Sequence, residues 1–144
     1  MITVLFGQPC SGKSTLAVKL QADFYIDGDH LRLMFKNNDY SREGRVKNLN
    51  RASDIATYLH YNGNDVVLSL VYPYKEARDY LNSLSPNVKW VYLTYQLDRG
   101  REAFHVKDFD YPEEGAALHL NTEWMTEEEC IKEIKSYINK WKNI

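Results

Sequence analysis

Five short apolar runs alternate along the chain with segments in which apolar residues recur at helical spacing. The runs at residues 2–6 (ITVLF) and 66–71 (VVLSLV) are continuous, a pattern typical of strands that are covered on both faces. The pattern predicts strands at residues 2–6, 24–26, 66–71, 88–93 and 116–120. It predicts helices at residues 13–22, 31–35, 42–61 and 74–84, and a last helix that Thr126 opens with a capping box.

Strands that alternate with helices in this way predict a three-layer α/β/α domain with a mainly parallel five-stranded sheet. Ligands are then expected at the carboxyl ends of the strands. Residues 1–144 contain no linker, so we expect a single domain. The polar, irregular segment at about residues 95–115 is expected to be a lid over the ligand site.

Composition narrows the classes of partner. The 18 basic and 20 acidic residues nearly balance, so any anionic ligand has to be bound by a local positive cluster. No basic stripe favours nucleic acid as a partner, although a polynucleotide end stays open as an acceptor. Two distant cysteines, Cys10 and Cys130, are typical of a reduced cytosolic protein. The short apolar run at residues 2–6 resembles neither a signal peptide nor a membrane span, which predicts a cytoplasmic protein without a membrane partner.

Residues 7–14 match the phosphate-binding pattern G-x-x-x-x-G-K-[ST] in full, directly after a predicted strand and at the start of a predicted helix. The backbone N–H groups of such a loop bind phosphate oxygens, so the match predicts a P-loop NTPase fold with an ATP site. Lys13 is expected to bridge the β- and γ-phosphates as a catalytic residue, and the Ser14 hydroxyl to ligate Mg²⁺. An ordinary glycine-containing turn would need neither side chain. The predicted ATP-binding residues of the loop are Gly7, Gln8, Pro9, Cys10, Ser11, Gly12, Lys13, Ser14 and Thr15.

Two classes of P-loop protein lack support in the sequence. A GTPase carries N-K-x-D on a late strand, whereas Asn139-Lys140 lies in the last predicted helix. A motor ATPase carries an aspartate at the end of an apolar strand, whereas the run at residues 66–71 leads into Tyr72. The second predicted strand ends in carboxylates, Asp27 and Asp29, which suits small-molecule kinases in which a carboxylate faces the acceptor hydroxyl.

Five further motifs, in order along the chain, resemble those of the adenylylsulfate (APS) kinase family, whose members phosphorylate the 3′-hydroxyl of adenosine 5′-phosphosulfate with MgATP. The family's D-G-D-N-x-R is similar to residues 27–32 (DGDHLR), and its F-S-x-x-D-R-x-x-N-I-R-R is similar to residues 40–51 (YSREGRVKNLNR). Its S-x-x-S-P-[FY]-[RK]-x-x-R-D resembles residues 69–79 (SLVYPYKEARD). Its I-K-x-F-T-G-x-x-x-P-Y-E and L-x-L-[DN]-T resemble residues 106–113 (VKDFDYPE) and 118–122 (LHLNT).

The resemblance implies roles for the matching residues. Asp29 would orient or deprotonate the attacking hydroxyl and bind Mg²⁺ through water, with capping of the following helix as the alternative. Tyr40 and Phe109 would stack on the two faces of the acceptor base, with a core-edge ring and a lid anchor as the alternatives. Arg99 would contact ATP, and Lys107 would close over the phosphate end of the acceptor. The anionic group of the acceptor would be bound by Arg32, Arg45, Asn48 and Arg51, with solvation of one of the helical arginines as the alternative.

The chain departs from the family where acceptor specificity is decided. Gly44 replaces the aspartate of the second of these motifs, and Tyr72 replaces the serine of the third. Asp110 stands in the fourth motif where the family has threonine, which adds negative charge. The predicted lid is also shorter than in the family. None of the histidines, His105 included, fits a ligand spacing, so structural or solvent roles are expected for them.

Three functions therefore stay open. The first is transfer of the γ-phosphate of MgATP to APS, and the second is transfer to a hydroxyl of another nucleotide, a nucleoside or a polynucleotide. The third is a nucleotide-binding module without transfer activity, against which the retained Lys13, Ser14 and Asp29 argue. The expected partners are ATP and a small nucleotide-like acceptor, with a homodimer left open.

Overall fold

The computed structural model describes residues 1–9, 11–95 and 105–142. In these segments five strands form one sheet in the order β2-β3-β1-β4-β5, and every neighbouring pair runs parallel. The predicted three-layer arrangement around a parallel sheet is confirmed. The strands are β1 (Ile2–Phe6), β2 (Phe24–Asp27), β3 (Val66–Ser69), β4 (Val88–Thr94) and β5 (Leu118–Asn121). The helices are α1 (Lys13–Lys19), α2 (Gly28–Phe35), α3 (Arg42–Tyr61), α4 (Lys75–Leu84) and α5 (Glu127–Lys142).

The sheet separates two apolar cores, which explains why its central strands are continuous apolar runs. All five residues of β1 are buried, and successive side chains point to opposite faces. Val4 and Phe6 belong to the core beneath α3 and α4, whereas Leu5 packs with residues of α1 and α5. Because helices cover both faces, the alternation of apolar and polar residues that marks a half-exposed strand is missing.

Most element bounds lie close to the predicted ones. α3 begins at Arg42 and ends at Tyr61, as predicted. α2 begins at Gly28 rather than at residue 31, and β5 spans Leu118–Asn121 rather than residues 116–120. Two further differences occur where the backbone enters left-handed conformations. α1 ends at Lys19 rather than at residue 22, and Gln21 follows with a φ of 52°. β3 ends at Ser69 rather than at residue 71, because the chain leaves the sheet toward Tyr72, whose φ is 43°.

The last helix begins with the predicted capping box. Thr126 Oγ1 accepts a hydrogen bond from Glu129 N at 3.1 Å, and Thr126 N donates to Glu129 Oε1 at 3.3 Å. These two bonds satisfy backbone N–H groups that the first turn of a helix leaves without partners. In the described segments, no helix combines the length and the apolar character needed to cross a membrane.

Tyr72 fills the space behind the turn that follows β3. Its side chain is fully buried, and its ring packs edge-on against Trp90 with the centroids 5.3 Å apart. The Tyr72 hydroxyl pairs with Ser53 Oγ at 2.9 Å, and its carbonyl oxygen accepts from Arg78 Nη1 at 2.8 Å. Burial raises the pKa of this phenol, so the hydroxyl stays protonated and available as a donor. The residue therefore joins α3 to α4 beneath the sheet edge.

Tyr72→Phe should lower the free energy of unfolding by about 1–2 kcal/mol, because Ser53 Oγ is left buried without its partner. The double variant Tyr72→Phe/Ser53→Ala should be less destabilised than the sum of the two single changes, since both polar groups are then removed together. Urea unfolding of the three variants measures both quantities. Strict additivity would show that the hydroxyl pair contributes no coupling.

Candidate active site

The glycine-rich loop leaves the central strand between its two neighbours, and Gly7 makes this exit sterically allowed. Gly7 has a φ of 145°, and its N–H donates to Val71 O at 3.2 Å. A Cβ at this position would lie 2.2 Å from Leu93 O, so a side chain would displace the backbone of β4. Gly12 is the N-cap of α1, where the loop becomes a helix. The predicted strand–loop–helix context of the phosphate-binding pattern is thus confirmed.

The Lys13 side chain folds back over the loop. Its Nζ donates to Gly7 O at 3.1 Å, to Gln8 O at 3.0 Å and to Ser11 Oγ at 3.4 Å. Two of these acceptors are neutral carbonyl oxygens, which bind an ammonium group more weakly than phosphate oxygens do. The lysine is therefore held over the loop by acceptors that are weaker than the oxygens of an anionic ligand.

A cavity of about 760 Å³ opens beside the loop at the carboxyl edge of the sheet. A volume of this size suits a small-molecule ligand. Gly7, Gln8 and Ser11 belong to the loop but are not on this wall. The predicted site residues that line the cavity are Pro9, Gly12, Lys13, Ser14, Thr15, Asp29, Arg32, Tyr40, Arg45 and Asn48.

The two aspartates after β2 have different positions. Asp27 is the N-cap of α2, and its Oδ2 accepts from His30 N at 3.0 Å. Asp29 lies in the first turn of the helix, exposed on the cavity wall. The cap is therefore Asp27, so the alternative role considered for Asp29 is not supported.

Tyr25 adds a phenol to this edge of the site that the sequence pattern did not identify. Its hydroxyl donates to Asp27 Oδ1 at 3.2 Å. Burial raises the pKa of the Tyr25 phenol, so its hydroxyl stays protonated as a hydrogen-bond donor. The phenol thus lies beside the carboxylate that caps α2.

The donor groups at this edge fit magnesium. Ser14, Asp27 and Asp29 line the same cavity and offer the oxygen ligands that Mg²⁺ prefers. Within the described segments, no group of three or more His, Cys, Asp or Glu side chains could hold a metal ion. Mg²⁺ at kinase sites is usually held by one or two protein oxygens together with water and substrate phosphates.

Arg32 and Tyr40 form a stacked pair on the opposite wall. The Arg32 guanidinium lies over the Tyr40 ring, 4.1 Å from its centroid. Its Nη1 donates to Asn37 O and Asn37 Oδ1, both at 3.2 Å, and to Asp39 O at 3.1 Å. The guanidinium thus covers one face of a tyrosine ring that is 60% exposed. The other ring face can stack on a planar ligand.

Arg45 and Asn48 lie one turn apart on α3 and both face the cavity. Arg45 Nη1 donates to Tyr74 Oη at 3.5 Å, and Asn48 Nδ2 donates to Gly28 O at 3.4 Å. Asn48 is only 4% exposed, and its Oδ1 has no hydrogen-bond partner among the described residues. A buried oxygen without a partner costs about 1–3 kcal/mol, so a ligand N–H or O–H group would be stabilised there.

Three predicted acceptor contacts lie outside the described cavity wall. Arg51 follows Arg45 by six positions, which corresponds to about 600° of helix rotation and places it on another face. Its guanidinium lies over the Phe35 ring, 4.5 Å from the centroid. Phe109 is 8% exposed and packs in the core, 5.8 Å from the Tyr92 ring centroid, as its lid-anchor alternative implies. Lys107 is exposed and does not line the described wall, although the two residues before it do.

Two predicted residues, Cys10 and Arg99, lie outside the described residues. Conversely, the cavity wall includes residues to which the sequence analysis gave no ligand role, and Leu49, Leu70 and His105 are the most informative of them. The sequence pattern predicts Leu49 and Leu70 as core residues, because apolar periodicity does not distinguish the wall of a pocket from a core. His105 fits no ligand spacing in the sequence, and only the folded structure shows that it lines the cavity.

Gly44 explains one departure from the resembling motif. A Cβ at this position would lie 2.3 Å from Asp39 O and 2.4 Å from Asp39 Cγ. Asp39 Oδ1 accepts from Ser41 N at 2.9 Å, and hydrogen bonding with Ser41 lowers the pKa of the Asp39 carboxyl. Asn37 Nδ2 donates to Gly44 O at 3.0 Å. Loss of the side chain at position 44 thus gives room to a carboxylate from the loop that carries Tyr40.

Gly44→Asp should lower the free energy of unfolding by about 1–3 kcal/mol, because the new side chain overlaps Asp39. It should also separate Tyr40 from Arg32, since both contact the displaced loop. The double variant Asp39→Gly/Gly44→Asp should recover only part of the lost stability, because the overlap with the Asp39 carbonyl oxygen remains after the side chain is removed. Denaturant unfolding of the two variants tests this, and a Gly44→Asp variant as stable as the parent would contradict the proposed overlap.

Known proteins are similar to this chain in sequence. A family model described as adenylylsulphate kinase matches residues 1–107. The probable adenylyl-sulfate kinase of Aeropyrum pernix is 38% identical over 55% of this chain and 48% of its own length. The probable adenylyl-sulfate kinase of Pyrococcus abyssi is 34% identical over 65% of this chain and 59% of its own length. This chain thus spans about half the length of the curated relatives that it matches.

Solved structures agree on the fold. The Mycobacterium tuberculosis APS kinase in complex with AMPPNP and APS superposes with a TM-score of 0.82 over 96% of both chains. At 20% identity this likeness concerns the fold alone, and it identifies the α/β/α domain as a P-loop NTPase fold. The family match covers the phosphate loop, the cavity-lining residues of α2 and α3 and the start of the predicted fourth motif. The chain therefore belongs to the adenylylsulphate kinase family.

Proposed function

We propose that this protein is a kinase that transfers the γ-phosphate of MgATP to the 3′-hydroxyl of adenosine 5′-phosphosulfate. The observation that carries the proposal is a single cavity that joins the phosphate loop, the Asp29 carboxylate and an acceptor wall of Arg32, Tyr40, Arg45 and Asn48. Family membership supports it. A reaction between two anionic substrates needs donor and acceptor sites that open into one another.

The donor half of the proposed reaction uses the loop and its helix. Backbone N–H groups of the loop would bind the triphosphate, and Lys13 would move from the carbonyl oxygens of Gly7 and Gln8 onto the β- and γ-phosphates. Ser14, with Asp29 through water, would hold the magnesium ion. Bound Mg²⁺ would supply neutralisation of the charge that builds on the departing phosphate.

The transfer step needs alignment more than covalent help from the protein. The acceptor oxygen forms a bond to the γ-phosphorus while the bond from that phosphorus to the β–γ bridging oxygen breaks, and ADP departs. Asp29 would orient the hydroxyl and take its proton. Because Asp27 caps α2, the Asp29 carboxylate is left for this task.

The acceptor half supplies complementary groups. The uncovered face of Tyr40 would stack on the base, and Arg32 and Arg45 would pair with the anionic phosphosulfate. Asn48 Oδ1, which has no hydrogen-bond partner among the described residues, would accept from a hydroxyl or amino group of the nucleotide. We assign no acceptor contact to Arg51, Lys107 or Phe109, because none of the three lines the described cavity wall.

Asp110 does not weaken the proposal, although it adds negative charge to the fourth motif. Its Oδ2 accepts from Lys75 N at 2.9 Å, at the start of α4, where the N–H groups of a first turn favour an anion. Its carbonyl oxygen accepts from Arg78 Nη2 at 2.6 Å. The charge is thus used to cap a helix rather than placed on the described cavity wall.

An acceptor screen with γ-labelled ATP and Mg²⁺ tests the proposal. APS, nucleotides, nucleosides and oligonucleotide 5′-ends are offered in parallel, and label transfer to APS is expected. Labelling of another acceptor without labelling of APS would favour a different nucleotide-type substrate on the same scaffold. ATP hydrolysis or binding with no transfer to any acceptor would favour a nucleotide-binding module.

Two substitutions separate the proposed catalytic roles. Lys13→Ala should lower kcat by about 100-fold or more, because transition-state charge on the phosphates loses a cation. Asp29→Asn should lower kcat by about 100-fold while the Kd for an ATP analogue changes less than threefold, since the carboxylate acts on the acceptor hydroxyl.

The matched control for the carboxylate is Asp79→Asn, which removes an exposed partner of Lys75 outside the cavity. It should leave kcat and KM within about twofold of the parent values. An Asp29→Asn enzyme with unchanged kcat would remove Asp29 from the mechanism.

A further inference from the structure

We propose that Gln8 is a positioning residue that couples the phosphate loop to residues 105–110, which we call the lid root. Gln8 Nε2 donates to Val106 O at 2.8 Å, and Val106 N donates to Gln8 Oε1 at 2.9 Å. A carboxamide has the same donor and acceptor as a peptide group, so one side chain pairs with both polar groups of one backbone residue. The proposal rests on the proposed function for its catalytic consequence only.

The lid root is fixed to the acceptor half of the protein. Val106 and Phe109 are buried in the core that α3 and α4 share. Asp110 N donates to Pro73 O at 2.7 Å. Asp108 Oδ2 accepts from Arg42 Nη1 at 3.2 Å, in the first turn of the helix that also carries Arg45 and Asn48. A shift of α3, which carries Arg45 and Asn48, would therefore move Val106, the hydrogen-bond partner of Gln8.

On its other side, Gln8 is bonded to the lysine of the phosphate loop. Its carbonyl oxygen accepts from Lys13 Nζ at 3.0 Å. Pro9 follows it and restricts the backbone of Gln8 to extended conformations. With its backbone restricted and its side chain bonded at both polar ends, Gln8 cannot turn to follow the lid root without moving its own carbonyl. A continuous series of hydrogen bonds thus runs from Val106 on the cavity wall through Gln8 to Lys13 of the phosphate loop.

A path of this kind predicts reciprocal effects. A nucleotide would take Lys13 from the Gln8 carbonyl onto phosphate oxygens, and the loop N–H groups would bind the same ligand, so the whole loop, Gln8 included, would become more ordered and would hold Val106 more firmly. By thermodynamic linkage, a ligand that changes the lid root changes nucleotide affinity by the same factor. A purely structural role for the Gln8 amide would instead contribute stability without any response of the lid root to nucleotide.

Hydrogen exchange of the lid root with and without Mg²⁺ and AMPPNP distinguishes these roles and needs no acceptor. In the parent protein, nucleotide should slow exchange of the amides of Val106 and Asp110 by about fivefold or more, the lower range of allosteric coupling. Gln8→Met, which fills the same space without polar atoms, should show a change below about twofold. Gln8→Asn, whose amide is one methylene too short, should behave like Gln8→Met.

The matched control is Thr122→Val, which removes a different tether of the same loop, the bond from Thr122 Oγ1 to Ser11 O at 2.9 Å. Its lid root should respond to nucleotide as the parent does. A full nucleotide response in both Gln8 variants, or no response in the parent, would overturn the proposal. Failure of APS to accept phosphate would overturn the proposed function and leave this exchange result standing.

If APS is the acceptor, kinetics add a second readout. Both Gln8 variants should raise the KM for APS by about fivefold or more in the presence of saturating MgATP. Their affinity for AMPPNP alone should change less, because the loop N–H groups are retained. An unchanged KM for APS in both variants would show that the path does not reach the acceptor site.

Discussion

The site depends on one steric constraint, the exit of the chain from the central strand β1 between two parallel neighbours. The backbone turns at Gly7 with only a hydrogen atom facing Leu93 O. A Cβ on Gly7 would lie 2.2 Å from that oxygen. The same residue donates to Val71 O beyond β3, so the loop is fixed to both neighbouring segments. The start of the loop therefore cannot move without separating strands of the sheet. The first turn of α2, which carries Asp29, and the lid root are both positioned around this loop.

The departures from the family motifs are largely rearrangements of packing. Gly44 gives its space to Asp39, Asp110 caps α4, and Tyr72 fills a buried position between α3 and α4. In each case a changed residue is matched by a contact that the structure provides nearby. A polar or charged residue at a family position is therefore not by itself a loss of function, because its partners decide where the charge acts.

The sequence predicted the order of elements and the phosphate loop because these depend on local pattern: apolar runs, glycine spacing and capping residues. The predicted end of α1 is too late, because no local sequence pattern indicates that the Gln21 backbone adopts a left-handed conformation. The sequence left open whether Arg45 and Arg51 both contact the acceptor or only one of them does, and helix rotation decides this because it places only Arg45 on the described cavity wall. The pairing of Gln8 with Val106 joins residues 98 positions apart, and no single-sequence pattern carries such a contact.

The strand order has a consequence for how the protein acquires its fold. β1 precedes both of its partners in the chain, and its residue Ile2 pairs with Val66 of β3 and with Val88 of β4. The central pairings of the sheet therefore form only when large loops, which include α1 to α3, have closed. Parallel sheets built from such distant pairs fold more slowly than structures rich in local contacts. During synthesis α1 is the first element that can cover β1, since Leu16 and Ala17 share a core with Leu5. The other face of the strand, which carries Val4 and Phe6, stays exposed until the residues of α3 and α4 have been made.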